Sequence, residues 1–269
     1  TLTPRVPSRA MVGRLTETGA NVRDLLGEPV QGGQVSISLG SDVLASGEVG
    51  SNGDATFTVS LEDRGELELF FEFEPPDFYQ AQSASASLPV YLATGLTLDN
   101  TGTGHVKSRM NLTGILEDRD GNRLPHRELT VRDGEALFGE TVTDAIGEFS
   151  VDFTPRTFGV HRIVAEFEEQ DFLTESTASQ EVDVFIDTLT KLSVDGAGEA
   201  GSPMELLVEV FDEQGSSVTG GSIEISGSGP RSTRIRLLDG KGQQSVTFDR
   251  GGPVKVTAVF LPEDFYLGS

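Results

Sequence analysis

Cysteine is absent from this chain of 269 residues, and so is tryptophan. Without cysteine no disulfide can staple a fold, so each domain must be held by its own apolar core. Without tryptophan, and with only Tyr79, Tyr91 and Tyr266, the flat aromatic platforms on which sugars stack are scarce. Histidine is nearly absent too. His105 lies in a glycine-rich stretch, His126 follows a turn proline, and His161 falls on the inward face of a strand. None has a spacing such as HxxxH or CxxC that would hold zinc, and none is expected to serve a nucleophile as a base. Lysine numbers four against sixteen arginines, and the net charge is −23. Such a surface repels phosphates, which excludes a generic nucleic-acid binder. It suits either high salt, where self-repulsion is screened, or an ordinary acidic secreted protein. Long apolar runs are missing as well. The longest weakly polar stretch, LPVYLATGLTL at 88–98, is broken by Pro89 and Gly95 and falls short of the ~18 residues of a membrane span. No segment keeps a helical period, so there is no helix for a phosphate-binding glycine loop to open.

What is present is repetition. Gly27, Gly121 and Gly215 stand 94 residues apart, and Asp77, Asp171 and Asp264 stand 94 and 93 apart. Between them SNGDATFTV, TDAIGEFSV and DGKGQQSVTF each set a glycine (Gly53, Gly147, and Gly240 or Gly242) before an alternating stretch. Three landmarks in one order define a tandem array, with copies at 1–93, 94–187 and 188–269. Within a copy the apolar period is two. Leu67, Leu69, Phe71 and Phe73 share one face, as do His161, Ile163, Ala165 and Phe167, and Val254, Val256, Ala258 and Phe260. About seven short strands per copy, cut by Gly, Asp and Asn turns, predict an all-β fold of tandem β-sandwiches. The first copy starts short of a full opening strand and the third stops at DFYLGS before a final one. The expectation is therefore a stretch of a longer array. The Gly-rich stretches NTGTGHVKS and DGAGEAGSP read as linkers between sandwiches.

The loop EPPDFYQAQS returns as EEQDFLTES and PEDFYLGS. It joins the penultimate strand to the last. Asp77 and its equivalents are suited to bonding turn amides, and Phe78, Phe172 and Phe265 are expected to plug the open end of each sandwich. The competing reading is that Phe78, Tyr79, Phe172, Phe265 and Tyr266 are loop tips that touch a partner.

The run G-x-L-x-D-x-x-G-N-x-L-P at 114–125, T-D-x-x-G-x-F-x-V at 143–151 and A-x-F-x-x-x-D-F-x-x-x-S at 165–176 resembles bacterial and archaeal immunoglobulin-like repeats of cell-surface proteins. Its first half is also similar to transthyretin-like accessory modules. The resemblance implies immunoglobulin-like sandwiches at a cell surface or outside the cell, and carries no catalytic residues. Paired carboxylates (Glu72 and Glu74, Glu166 and Glu168, Glu62 and Asp63) read as a solvated acidic face, since nothing predicts a cleft to perturb them. Calcium is the one cofactor considered. Asp118, Asp120 and Asn122 offer oxygens at alternate positions, without the rest of an EF-hand loop, and Asp99, Asp187 and Asp195 lie near the copy boundaries. A plain turn is the alternative. Asn111-Leu112-Thr113 is a glycosylation sequon on an outward position. The role expected is a non-catalytic spacer whose partners are neighbouring modules of a longer chain; the alternatives are an adhesin engaging a protein or surface glycan, and accessory domains of a surface enzyme whose catalytic domain lies outside this chain.

Overall fold

The computed structural model describes every residue except Asp77, Asn100, Thr101, Gly196, Ala197 and 228–231. The expected hydrogen bonding of Asp77 lies outside the described residues. The first copy contains β1 (Leu2–Arg5), β2 (Ala10–Met11), β3 (Leu15–Val22), β4 (Gln34–Leu39), β5 (Asp42–Glu48), β6 (Asp54–Ser60), β7 (Gly65–Glu74) and β8 (Gln82–Tyr91). The second repeats this order as β9 (Thr94–Asp99), β10 (Gly104–His105), β11 (Met110–Asp118), β12 (Glu128–Asp133), β13 (Ala136–Val142), β14 (Glu148–Phe153), β15 (Gly159–Phe167) and β16 (Ser176–Phe185). The third contains β17 (Thr188–Asp195), β18 (Pro203–Asp212), β19 (Ser222–Gly227), β20 (Thr233–Arg236), β21 (Lys241–Thr247) and β22 (Val256–Leu261).

Each copy is a sandwich of two sheets. In the first, β1-β3-β6 faces β2-β8-β7-β4-β5; in the second, β9-β11-β14 faces β10-β16-β15-β12-β13. The third has β17-β18-β21 and β20-β19-β22. Pairing is antiparallel except where the two-residue strands β2 and β10 run parallel to the final strands β8 and β16. Leu2–Arg5 pairs with β3 as β9 pairs with β11 and β17 with β18, so the opening-strand position of the first copy is filled, by four residues.

Alternation makes these sheets. Along β11 every second side chain, beginning with Met110 and Leu112, is buried, and Leu69, Phe71, Phe73, Ile163, Ala165, Phe167 and Phe260 are all within the core. Val254 departs from the expectation: it is 38% exposed and lies ahead of β22. β7 and β15 each have a neighbour on both sides, whereas among the described residues β22 pairs with β19 alone, from Val256 opposite Gly227 onward. Of the two candidate glycines in the third copy, Gly240 is the equivalent of Gly53 and Gly147. All three have φ between 72° and 80°, and their carbonyls accept from Val22, Leu116 and Val210. A Cβ on Gly147 would stand 3.0 Å from the Leu116 carbonyl oxygen, which excludes larger residues.

The Gly-rich stretches are not the linkers. His105 and Gly104 are tied to Phe185 and Val184 of their own copy, and the Gly201 amide donates to Phe248 of its own copy at 2.8 Å. The described residues of both stretches lie between an opening strand and the next long strand of the same copy; Asn100, Thr101, Gly196 and Ala197 lie outside the described residues. The true connectors are two residues long: Leu92-Ala93 between β8 and β9, and Ile186-Asp187 between β16 and β17. The buried side chains of the second and third copies form one continuous cluster, and Leu92 packs against both that cluster and the core of the first copy.

Candidate functional site

The recurring DF loop is built from local strain. Gln170 and Leu173 exchange backbone hydrogen bonds at 3.2 and 2.8 Å, which folds the chain back over two residues. Asp171 and Phe172 inside that turn have φ of 50° and 59°. Aspartate tolerates the left-handed region; phenylalanine does so at a cost of order 1–3 kcal/mol. In return the turn presents the Phe172 carbonyl and the Thr174 amide outward, in line, as a strand edge would.

The strand edge is used across the junction. Leu92 donates its amide to the Phe172 carbonyl at 2.9 Å, and Thr174 donates to the Leu92 carbonyl at 3.0 Å, a parallel bridge between two copies. The second junction repeats it. Ile186 donates to Phe265 at 3.0 Å and Leu267 donates to Ile186 at 2.9 Å. Aromatic rings stack over each bridge: Tyr91 with Phe172 at 5.6 Å between centroids, and Phe185 with Phe265 at 5.8 Å. The expected plug is thus corrected. Phe172 and Phe265 lie half-buried against the preceding copy, and the residues driven into the core are Leu173, Tyr266 and Ile186. Phe78 and Tyr79 occupy the same loop of the first copy and are exposed, Phe78 fully.

Polar contacts flank both clasps. Arg9 pairs with Glu169 at 3.2 Å and sits 4.2 Å over the Tyr91 ring. Burial, then the Glu169 carboxylate, raises the Tyr91 hydroxyl above its ordinary pKa. The turn at 118–121 reaches back as well. The Arg119 amide donates to the Ala93 carbonyl at 2.9 Å, and its guanidinium donates to the Val12 carbonyl. At the second junction Glu213 donates its amide to Asp187, its carboxylate meets Lys107 at 3.2 Å, and Gln214 donates to the Arg156 carbonyl at 3.3 Å.

Asp118 Oδ1, read as a calcium ligand, accepts the amides of Asp120 and Asn122, both at 2.9 Å, and its Oδ2 accepts from the Asn122 side chain at 3.0 Å. Asp24 and Asp212 build the same turn with the same two amides. Burial raises the Asp118 carboxyl, but the Asn122 and Asp120 hydrogen bonds and nearby Arg64 outweigh it and hold it below the usual carboxylate range. The Asp120 side chain is exposed and turned toward Arg119 at 3.4 Å. Among the described residues no three His, Cys, Asp or Glu side chains are grouped to hold a metal ion. Asp99 and Asp195 end their strands exposed, away from the connectors. Asn111 points outward from β11 and donates to Ser150 Oγ at 2.7 Å. His161 is buried against Asp133 Oδ2 at 2.6 Å and the Thr157 carbonyl at 2.8 Å, a satisfied core histidine. His105 and His126 are exposed.

Sequence reasoning found the loop but missed what it grips. The signal was there: Tyr91-Leu92 and Phe185-Ile186 are aromatic–aliphatic pairs 94 residues apart, at the end of each final strand.

No family model and no curated protein matches the chain. Solved structures do. Invasin, a bacterial integrin-binding protein, is similar at 17% identity with a TM-score of 0.42 over 96% of this chain; the chain spans 56% of the invasin structure. A tetra-tandem repeat from the extending region of a large adhesion protein matches at 17% identity and a TM-score of 0.44, over 98% of this chain and 70% of the other. Fibronectin(III)-like modules of CbhA from Clostridium thermocellum match at 14% identity and a TM-score of 0.32, over 68% of this chain and 95% of the other. The sheets of the chain themselves define its class: tandem immunoglobulin-like β-sandwiches. Among the described residues no helix is long and apolar enough to cross a membrane.

Proposed function

We propose that the chain is a non-catalytic spacer, part of a surface or extracellular protein, in which successive immunoglobulin-like modules are clasped end to end. The observation that carries this is the pair of equivalent junctions. Two-residue connectors leave little slack, and each is bridged on both sides of one residue, Leu92 or Ile186, by the DF loop of the next module. A flexible string of domains needs neither. Two modules held at one fixed angle transmit position, which is what a spacer does and an enzyme does not need. The resemblance to the extending region of an adhesion protein agrees with this reading.

Small-angle scattering on the full chain tests it. The expected result is one narrow distribution of end-to-end distance, broadened when Phe172→Gly and Phe265→Gly are introduced together. A wild-type distribution already as broad as that of the double variant would sink the proposal. The adhesin reading has one observation in its favour, the exposed Phe78; the equivalent rings Phe172 and Phe265 are engaged within the chain.

A further inference from the structure

The same loop occurs three times, and two of the three are occupied by the strand end of the module before. The first is not, and its chemistry is that of the other two. Phe78 has φ of 77°, as Phe172 has 59°, and the Tyr79 amide donates to the Pro76 carbonyl at 3.4 Å. That contact is the counterpart of Leu173 donating to Gln170. Yet the Phe78 ring is fully exposed, and Tyr79 is 47% exposed where Leu173 and Tyr266 are buried. Beside them lie Leu25 and Leu26, 96% and 88% exposed. These two hold the turn positions of Arg119 and Asp120 and of Glu213 and Gln214, and Arg119, Glu213 and Gln214 contact the preceding module. Leu25, Leu26, Phe78, Tyr79, Val22 and Val30 line a single hollow of about 500 Å³. Four large apolar side chains gathered and exposed at one end of a module mark an interaction surface.

We infer that this face is the docking site for the end of another immunoglobulin-like module, entering ahead of Thr1 with an aromatic residue followed by Leu or Ile. The inference rests on the clasp reading and extends it to a third junction. The Gln80 amide, counterpart of Thr174 and Leu267, would donate to the carbonyl of the incoming Leu or Ile. The aromatic residue would cover Phe78, and Leu25 and Leu26 replace the polar contacts of the inner junctions with apolar area. A strand end of this chemistry is recognised through backbone bonds for register and side chains for affinity, as in other strand-addition sites.

The test adds a copy of residues 94–188 ahead of Thr1. That join keeps register, because Leu189 pairs with Phe211 as Thr1 pairs with Arg23. Amide exchange is then followed by NMR in the native and extended chains. In the native chain Thr174 and Leu267 should be protected and Gln80 should exchange freely. In the extended chain Gln80 should slow by tenfold or more, and Leu26→Ser with Tyr79→Ser should restore its rate while Thr174 stays protected. If Gln80 exchanges equally fast in both chains while the added module shows its own core protection, the docking site is refuted and the face must serve a partner of another kind. If Thr174 and Leu267 themselves exchange freely in the native chain, it is the clasp reading that fails.

Discussion

Asp118 shows how one carboxylate can resemble an ion ligand and act as a piece of turn architecture. Its oxygens accept two backbone amides and the Asn122 side chain, and Asp24 and Asp212 repeat the amide bonds in turns with Leu26 and Glu28, or Gln214 and Ser216, where the second copy has Asp120 and Asn122. Asp118→Ala leaves those amides without an acceptor and should cost about 1–3 kcal/mol of stability, read from urea unfolding. Because the folded carboxyl titrates below its unfolded value, its contribution is fully present above the ordinary carboxylate range. It is lost as pH falls through the lowered folded pKa. Asp118→Asn keeps an acceptor oxygen, so it should retain much of the stability near neutral pH and flatten the acid side of the curve. Measuring the same melts in EDTA and in millimolar calcium separates the two readings. The turn role predicts equal melting temperatures, whereas a rise with calcium that is lost in Asp120→Ala would establish an ion site there.

At the level of strands and loops, the junction depends on one buried side chain per clasp. Leu173 is fully buried beneath the bridge to Leu92. Leu173→Ala removes that packing and should destabilise the protein by about 2–5 kcal/mol. It should also speed exchange of the Thr174 amide more than that of core amides on β15, a difference that a uniform loss of stability would not produce. Much of this architecture was legible beforehand. The two-residue period put Phe71, Phe73, Ile163 and Phe167 in the core, because sheet alternation is a local property. The junction was not, for two physical reasons. Glycine-rich composition is shared by loops inside a sandwich and by linkers between them, so Gly104 and His105 were misassigned to a linker. And VYLATGLTLD reads as one apolar stretch, with nothing local to say that the strand ends at Tyr91 and that Leu92 belongs to an interface. The exposed Leu25 and Leu26 are hidden for the same reason: an apolar pair in a turn has meaning only beside Phe78, 52 residues on.

For the molecule as a whole, charge sets the response to its surroundings. With 43 acidic and 20 basic side chains, the folded state holds a large excess of negative charge. The junction ion pairs Arg9–Glu169 and Lys107–Glu213 are partly solvent-exposed, and pairs of that kind contribute roughly 0–1 kcal/mol each. Salt weakens those pairs, but it also screens the repulsion among the unpaired carboxylates, and the Debye length shrinks from about 10 Å at 0.1 M to about 3 Å at 1 M. The second effect acts on many more charges than the first. Raising sodium chloride from 0.05 to 0.5 M should therefore raise the melting temperature, and potassium chloride should do so equally, since screening depends on ionic strength and not on the cation. The distance distribution from scattering should stay constant over the same range, because the clasps rest on backbone bonds and stacked rings. A melting temperature that fell with salt would show that the ion pairs outweigh the net repulsion. A distribution that broadened would show that those pairs, and not the Leu92 and Ile186 bridges, set the angle between modules.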